Sequence, residues 1–183
     1  VVNRLSGSGL KCRRDKCHVM VDTVEYLGYK LTPQGIVPIE ERTKALSTMP
    51  PPDNYQQLRS FIGAASYYRR FVPHFSEVIQ PLLDLEKKDF KWEAQHQKSF
   101  DLIKDKLTQP PNLVPYDQRK QVVLATDASS YALGAVMSHP GEEGLHPVEF
   151  ISRKLTGAET RYSMVEKEAL AIVWAVKRFH RYL

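Results

Sequence analysis

Residues 122–137 read VVLATDASSYALGAVM, and this stretch decides the fold of the second half of the chain. VVLATD is a short apolar run that ends on an acid, and YALGAVM is a second run that starts four residues on. Small and polar residues between them predict a tight connection, hence an antiparallel pair. A third run, HPVEFISRKL (146–155), follows the turn segment PGEEG (140–144). Three runs with short loops predict a meander. Downstream, Ser163 and Glu166 form a capping box that opens a helix. Val165, Ala169, Ile172, Val176 and Phe179 recur on one side and predict its buried face.

Asp127 is the oddity of the first run. A carboxylate on a buried strand costs several kcal/mol, roughly, unless it is hydrogen-bonded, paired or bound to metal. It can equally be an acid that forms the turn after the strand. Glu168 is the oddity of the helix, because the cap accounts for Glu166. It sits at the edge of the predicted apolar face, where the helix dipole alone would also favour an acid. An acid on a strand and an acid at a helix start can meet when the helix crosses the sheet. Two such carboxylates begin a magnesium site, since hard cations take oxygen ligands. They are few for the paired metals that cleave phosphodiesters.

Upstream lies TQPPNLVPYDQRK (108–120), whose prolines and polar residues predict a connector. It separates a predicted domain at 1–107 from one at 121–183. In the first of these, CHVMVDTVEYLGYKL (17–31) alternates and is rich in Val and Tyr, so residues 17–39 read as strands. A hairpin is expected around Leu27, Gly28 and Tyr29, with Gly28 marking a close backbone approach. TPQG (32–35) supplies the next turn. Residues 40–49 predict a short helix, stopped by MPPPD. Asp53 and Gln56 then suggest a capping box for a long helix reaching about Phe71, with Leu58, Phe61, Ile62, Ala65 and Tyr68 as its apolar stripe. Helical segments follow at 75–87 and 93–107, the latter with Phe100, Ile103 and Leu107 inward.

On the long helix, Arg59, Gly63, Ser66 and Arg70 recur at helical spacing away from most of the stripe. Arginines grip phosphates, and small residues let a backbone approach. A solvated face would show the same pattern. The aromatic patch Tyr67, Tyr68 and Phe71 is also compatible with a protein-interaction scaffold.

The composition is that of a globular chain: 42% hydrophobic and 10% aromatic residues over 183 positions exclude disorder throughout. The net charge of +5 suits a polyanionic partner without requiring one. Residues 1–80 carry 11 Lys/Arg against 7 Asp/Glu, so a grip on phosphates belongs to the first half. Two cysteines make no disulfide framework and fit a reducing, intracellular compartment, cytoplasmic or nuclear. Cys12, Cys17 and His18 hint at a metal cluster, but ordinary thiols beside a strand are the plainer account. No run approaches the roughly 20 apolar residues of a membrane span, and none resembles a signal-peptide core. The first residues read as a chain entered mid-domain.

Five blocks carry a resemblance: VEYLGYKLTPQGI (24–36), LRSFIGAASYYRRFVPHFS (58–76), PLLDLEKKDFKWEAQHQKSFDLIKDKL (81–107), LATDASSYALGAVMSH (124–139) and YSMVEKEALAIVWAVKRFHRYL (162–183). In residues, order and spacing they resemble the pol polyprotein of gypsy-class LTR retrotransposons, from about Leu10 to the end. The resemblance implies an α+β fold: a β-hairpin plus helical thumb, then a partial RNase H-like fold, a three-stranded meander with one packing helix. It implies a fragment of an RNA-directed DNA polymerase (a nucleotidyltransferase) with RNase H (an endonuclease, a hydrolase), using magnesium, or alternatively manganese. Its partners would be template–primer duplex, RNA/DNA hybrid and the remainder of the polyprotein. Leu27, Gly28 and Tyr29 look like the primer grip. The helix at 54–71, with Arg59, Gly63, Ser66 and Arg70, looks like the thumb helix that tracks a duplex. Asp127 and Glu168 match the first two RNase H acids, which are catalytic and hold the metal.

The departures from the pattern matter. The family's Tyr-x-Asp-Asp polymerase motif does not occur in this sequence, and no carboxylate matches the third or fourth RNase H acid. The resemblance therefore implies that this chain alone is inactive at both sites. It also implies an unpaired sheet edge where the next strand would sit. The alternative is a non-enzymatic nucleic-acid-binding remnant, degenerate or host-adopted.

Overall fold

The computed structural model describes residues 2–11, 13–88 and 90–183. Two three-stranded antiparallel sheets and seven α-helices make up the described residues. Helix α1 (Val2–Gly7) precedes the first sheet, which consists of β1 (Val24–Tyr26), β2 (Tyr29–Thr32) and β3 (Gly35–Pro38). Helices α2 (Glu40–Ser47), α3 (Tyr55–Tyr67), α4 (Phe75–Val78), α5 (Gln80–Leu83) and α6 (Ala94–Thr108) follow. The second sheet is β4 (Val123–Ala128), β5 (Ala132–Gly141) and β6 (Gly144–Lys154), ordered β4-β5-β6, and α7 (Met164–Phe179) closes the chain. The fold is α+β, as the sequence implied.

The larger core lies under the helices. Leu58, Phe61, Ala65, Phe71, Phe100, Ile103 and Leu107 are fully buried in it. Phe61 and Phe100 are 4.4 Å apart between ring centres and join α3 to α6. The expected stripes of both helices are therefore the observed ones. The smaller core lies between the second sheet and α7, where Met137, Ala171, Ala175 and Phe179 are fully buried.

Several expectations need correction. Residues 17–23 form no strand; Val19 and Met20 are exposed, and the ladder begins at Val24. Alternation alone does not make a strand when no neighbour offers hydrogen bonds. Helix α3 starts one residue later than its signal suggested. Asn54 is the N-cap, accepting from the Gln57 amide at 2.9 Å, while Gln57 Oε1 accepts from the Asp53 amide at 2.8 Å. The helix ends at Tyr67, and residues 69–71 form a 3₁₀ turn. The segment 75–87 is broken into α4 and α5, with Pro81 in the first turn of α5.

The largest difference is the face of α7. Lys167, Ala171, Ala175 and Phe179 are buried, whereas Val165, Ile172, Val173 and Val176 are exposed. The β-branched residues formed the better apolar stripe, yet the alanines face the sheet. Small side chains let the helix axis sit close over β4 and β5, whose own side chains supply the bulk.

The segment between α6 and β4 is pinned at both sides. Leu113, fully buried, forms a bridge with Ile36 of β3, and the Val114 amide donates to the Pro147 carbonyl at 2.9 Å. The two cores also meet directly: Phe150 of β6 packs on the helical core. Ser152, fully buried on β6, accepts from the Ser76 amide at 2.9 Å and donates to its hydroxyl at 3.0 Å. Arg69 donates to the Ser152 carbonyl.

Candidate nucleic-acid and carboxylate site

The β1–β2 turn is built by Leu27 at φ 46° and Gly28 at φ 75°. Two consecutive left-handed residues give the primed turn whose twist suits a two-residue hairpin. Leu27 projects into solvent at the tip. Tyr29 stacks on Tyr67 at the end of α3, with centroids 5.3 Å apart and planes 9° from parallel. Its hydroxyl donates to the Tyr67 carbonyl at 3.1 Å, and the Tyr67 hydroxyl donates back to the Leu27 carbonyl. Burial, reinforced by Tyr67, pushes the Tyr29 hydroxyl up to about 12. A Cβ on Gly28 would stand 3.0 Å from the Tyr67 ring. The close approach expected at Gly28 is thus present, and it clamps the hairpin tip to α3.

Of the four residues expected on the outer face of α3, Arg59 and Gly63 are exposed, one helical turn apart. Nothing lies within 4 Å of where a Gly63 Cβ would stand. Ser66 is half-buried. Arg70 lies beyond the helix, in the 3₁₀ turn, with its guanidinium 5.9 Å from the centre of the Tyr29 ring. It does not continue the row of Arg59 and Gly63.

Asp127, next to last in β4, lies opposite Gly134. The turn after it is closed by Ser129, whose Oγ accepts from the Tyr131 and Ala132 amides at 3.2 and 3.1 Å. The turn-forming role therefore belongs to Ser129. Asp127 is largely exposed, and its recorded charged neighbour is His74, whose Nδ1 lies 3.7 Å from Oδ2. That is ion-pair range when the imidazole is protonated. His74 precedes α4 at φ 54°, left-handed for a residue with a Cβ. It presses against Gly134, where a Cβ would stand 3.2 Å from Nδ1. Between them opens a cleft of about 190 Å³ lined by Pro73, His74, Ala125, Asp127, Val136 and Phe150. No sequence signal marked His74, because a histidine in the left-handed region leaves no trace in composition or periodicity.

Glu168 is half-buried, next to the buried Lys167. The capping box holds Glu166, whose Oε2 accepts from the Ser163 amide at 2.7 Å and from its hydroxyl at 2.8 Å. That pairing also lowers the Glu166 carboxyl below its ordinary range. The division of labour between Glu166 and Glu168 follows the sequence. The loop before α7 is fixed by Glu159, which accepts from Arg153 at 2.7 and 2.9 Å and from the Thr156 amide at 2.8 Å. Chiefly through Arg153, its carboxyl falls to about 2.

Asp127 and the helix that carries Glu168 lie on different faces of the sheet. Asp127 shares the face of Gly134 and Ser152, toward His74 and Ser76, whereas α7 lies against the face of Ala128, Leu133 and Ala135. Because β4 is an edge strand, carboxylates from the two faces can approach only around that edge. No group of three or more His, Cys, Asp or Glu that could hold a metal occurs among the described residues. Two carboxylates suit one hard cation that keeps several waters, and they are too few for a pair. Of the thiol cluster considered at 12–18, Cys12 lies outside the described residues. Cys17 is exposed and free, its Sγ donating to the Arg13 carbonyl at 3.1 Å. No described helix is long and apolar enough to cross a membrane.

The second sheet is thus an antiparallel meander with an acid near the end of its first strand and a helix across one face. The chain belongs to the family of RNase H-like domains found in reverse transcriptase, whose model matches residues 92–183. Over its full length it is 39% identical to the Retrovirus-related Pol polyprotein from transposon 297 of Drosophila melanogaster, of which it covers 17%. It is 34% identical to the Transposon Tf2-3 polyprotein of Schizosaccharomyces pombe and covers 14% of it. The chain thus spans less than a fifth of either relative, and its relatives are retrotransposon Pol polyproteins. Among solved structures it is similar to the foamy viral protease-reverse transcriptase in complex with dsDNA. There the TM-score is 0.78 at 25% identity, over 92% of this chain and 36% of that one. The same viral protein in complex with RNA/DNA hybrid shares the fold at TM-score 0.76.

Proposed function

We propose that this chain is the duplex-holding part of a reverse transcriptase–RNase H polyprotein, and that it contributes Asp127 and Glu168 to RNase H chemistry. The observation that carries this reading is the outer face of α3. There Arg59 stands one turn from Gly63, with open space above the glycine. A bare backbone beside an arginine admits a phosphodiester chain and then grips it. Recognition of this kind reads shape rather than sequence, which suits A-like hybrids. The hairpin tip at Leu27 and Gly28 is held beside this face by Tyr29 and Tyr67 and would seat the primer strand. The complex of the similar viral protein with dsDNA supports the duplex-holding reading.

Asp127 and Glu168 would hold a divalent cation, which, when bound, activates water and stabilises the leaving oxygen. The chain's own part is to present one exposed carboxylate at a strand end and one half-buried carboxylate from α7. Its donor set is short for two ions, so the chain alone binds duplex and cleaves little. The test is cleavage of a labelled RNA/DNA hybrid in magnesium, with Asp127→Asn alongside. Retained binding with negligible cleavage is expected. Magnesium-dependent cleavage abolished by Asp127→Asn would overturn the expectation of inactivity.

A further inference from the structure

The cleft at the end of α7 belongs neither to the carboxylates nor to the hairpin. Its volume is about 510 Å³. Lys177, Arg178 and Arg181 wall it on one side, and Arg70 and Glu149 on the other. Three segments distant in sequence thus bring four fixed cations and one carboxylate to a single opening.

The dipole of α7 draws Lys177 and Arg178 to its last turn. It does not explain Arg70, which comes from the turn after α3. The Arg70 Nε is shut from solvent and has no acceptor among the described residues. Glu149 makes no ion pair with these cations among the described residues, so the charges do not cancel by contact. A cleft lined by four permanent cations against one carboxylate suits an anionic ligand with several acceptor oxygens.

We propose that this cleft is a phosphate-binding site, and that its ligand is a backbone phosphate of the duplex. The proposal deepens the duplex-holding reading and rests on it. The site is remote from the carboxylates. From Glu168 to Lys177 the helix rises about 14 Å, or roughly four nucleotide steps along one strand. A grip at that distance fixes the position of the duplex without touching the scissile bond.

The experiment measures affinity of the full chain for a fluorescent RNA/DNA hybrid across a salt series. The variants are the exposed pair Lys177→Gln/Arg181→Gln and, separately, Arg59→Gln on α3. Arg70→Gln would also disturb the contact with Tyr29, so the exposed pair is preferred, with thermal melting to show that the fold persists. The double variant is expected to lower the slope of log affinity against log salt by about one to two. Inorganic phosphate alone should bind the parent chain and not the double variant. If Arg59→Gln lowers the slope and the double variant does not, the cleft proposal fails while the duplex reading stands. If phosphate binding is lost but the hybrid slope is unchanged, the site takes free phosphate and the proposal is overturned. The same holds if a polyglutamate peptide, and not hybrid, competes with phosphate for the cleft. If no variant shows salt-dependent hybrid binding, nor the parent chain, both readings fall together.

Discussion

Gly28 is constrained twice, by a left-handed backbone and by the Tyr67 ring lying where its side chain would be. Gly28→Ala should therefore cost about 1–3 kcal/mol in urea unfolding, more than a residue exposed at a turn would otherwise cost. The Tyr67 and Tyr29 hydroxyls join the same clamp from the other side. Glu159 makes a second residue-scale prediction, on pH. Its carboxyl lies at about 2, held there chiefly by Arg153. A depressed folded value stabilises the protein above the unfolded carboxylate range and loses that contribution as pH falls through the folded value. Between pH about 4.5 and about 2 the loop before α7 should loosen. Carboxyl-carbon NMR would show the Glu159 midpoint returning toward the ordinary range in Arg153→Gln; an unchanged midpoint would refute the pairing. Much at this scale was legible in the sequence: the close approach at Gly28 and the Ser163–Glu166 box. His74 was not, because its importance comes from a left-handed backbone and from Gly134 across the chain.

Elements were legible wherever length and periodicity agreed. Both long helices before the second sheet bury the stripes their spacing implied, and the meander follows from three apolar runs with short loops. Helix α7 departs from its periodicity. Its β-branched positions outscore its alanines as an apolar stripe, yet close packing on the sheet selects the small residues. Substitution separates the two accounts. Phe179→Ala should cost about 3–5 kcal/mol, and Ala171→Leu about 1–3 kcal/mol from overpacking. Ile172→Ser, by contrast, should stay within about 0.5 kcal/mol in chemical unfolding of the same chain. A large loss at Ile172 and none at Ala171 would restore the face read from periodicity. Residues 17–23 failed for a related reason: a strand needs a neighbour, and alternation does not say whether one exists.

The described residues join a helical part to the second three-stranded sheet, and hydrogen bonds cross the joint. Ser152 takes hydrogen bonds from Ser76 and Arg69 with its hydroxyl and its carbonyl, while Phe150 supplies the apolar contact. Removing the hydroxyl in Ser152→Ala leaves the half-buried Ser76 amide without its acceptor. That should cost about 1–3 kcal/mol, read as a lower melting temperature. None of these cross-chain contacts was visible in sequence, since each links residues about 76 positions apart or more. The family was visible. Whether the chain holds nucleic-acid duplex through its α3 face is decided by the affinity for an RNA/DNA hybrid across a salt series. Log affinity is expected to fall linearly with log salt, with the slope lowered by about one in Arg59→Gln. Binding that is absent, or that is insensitive to both salt and Arg59, would contradict it.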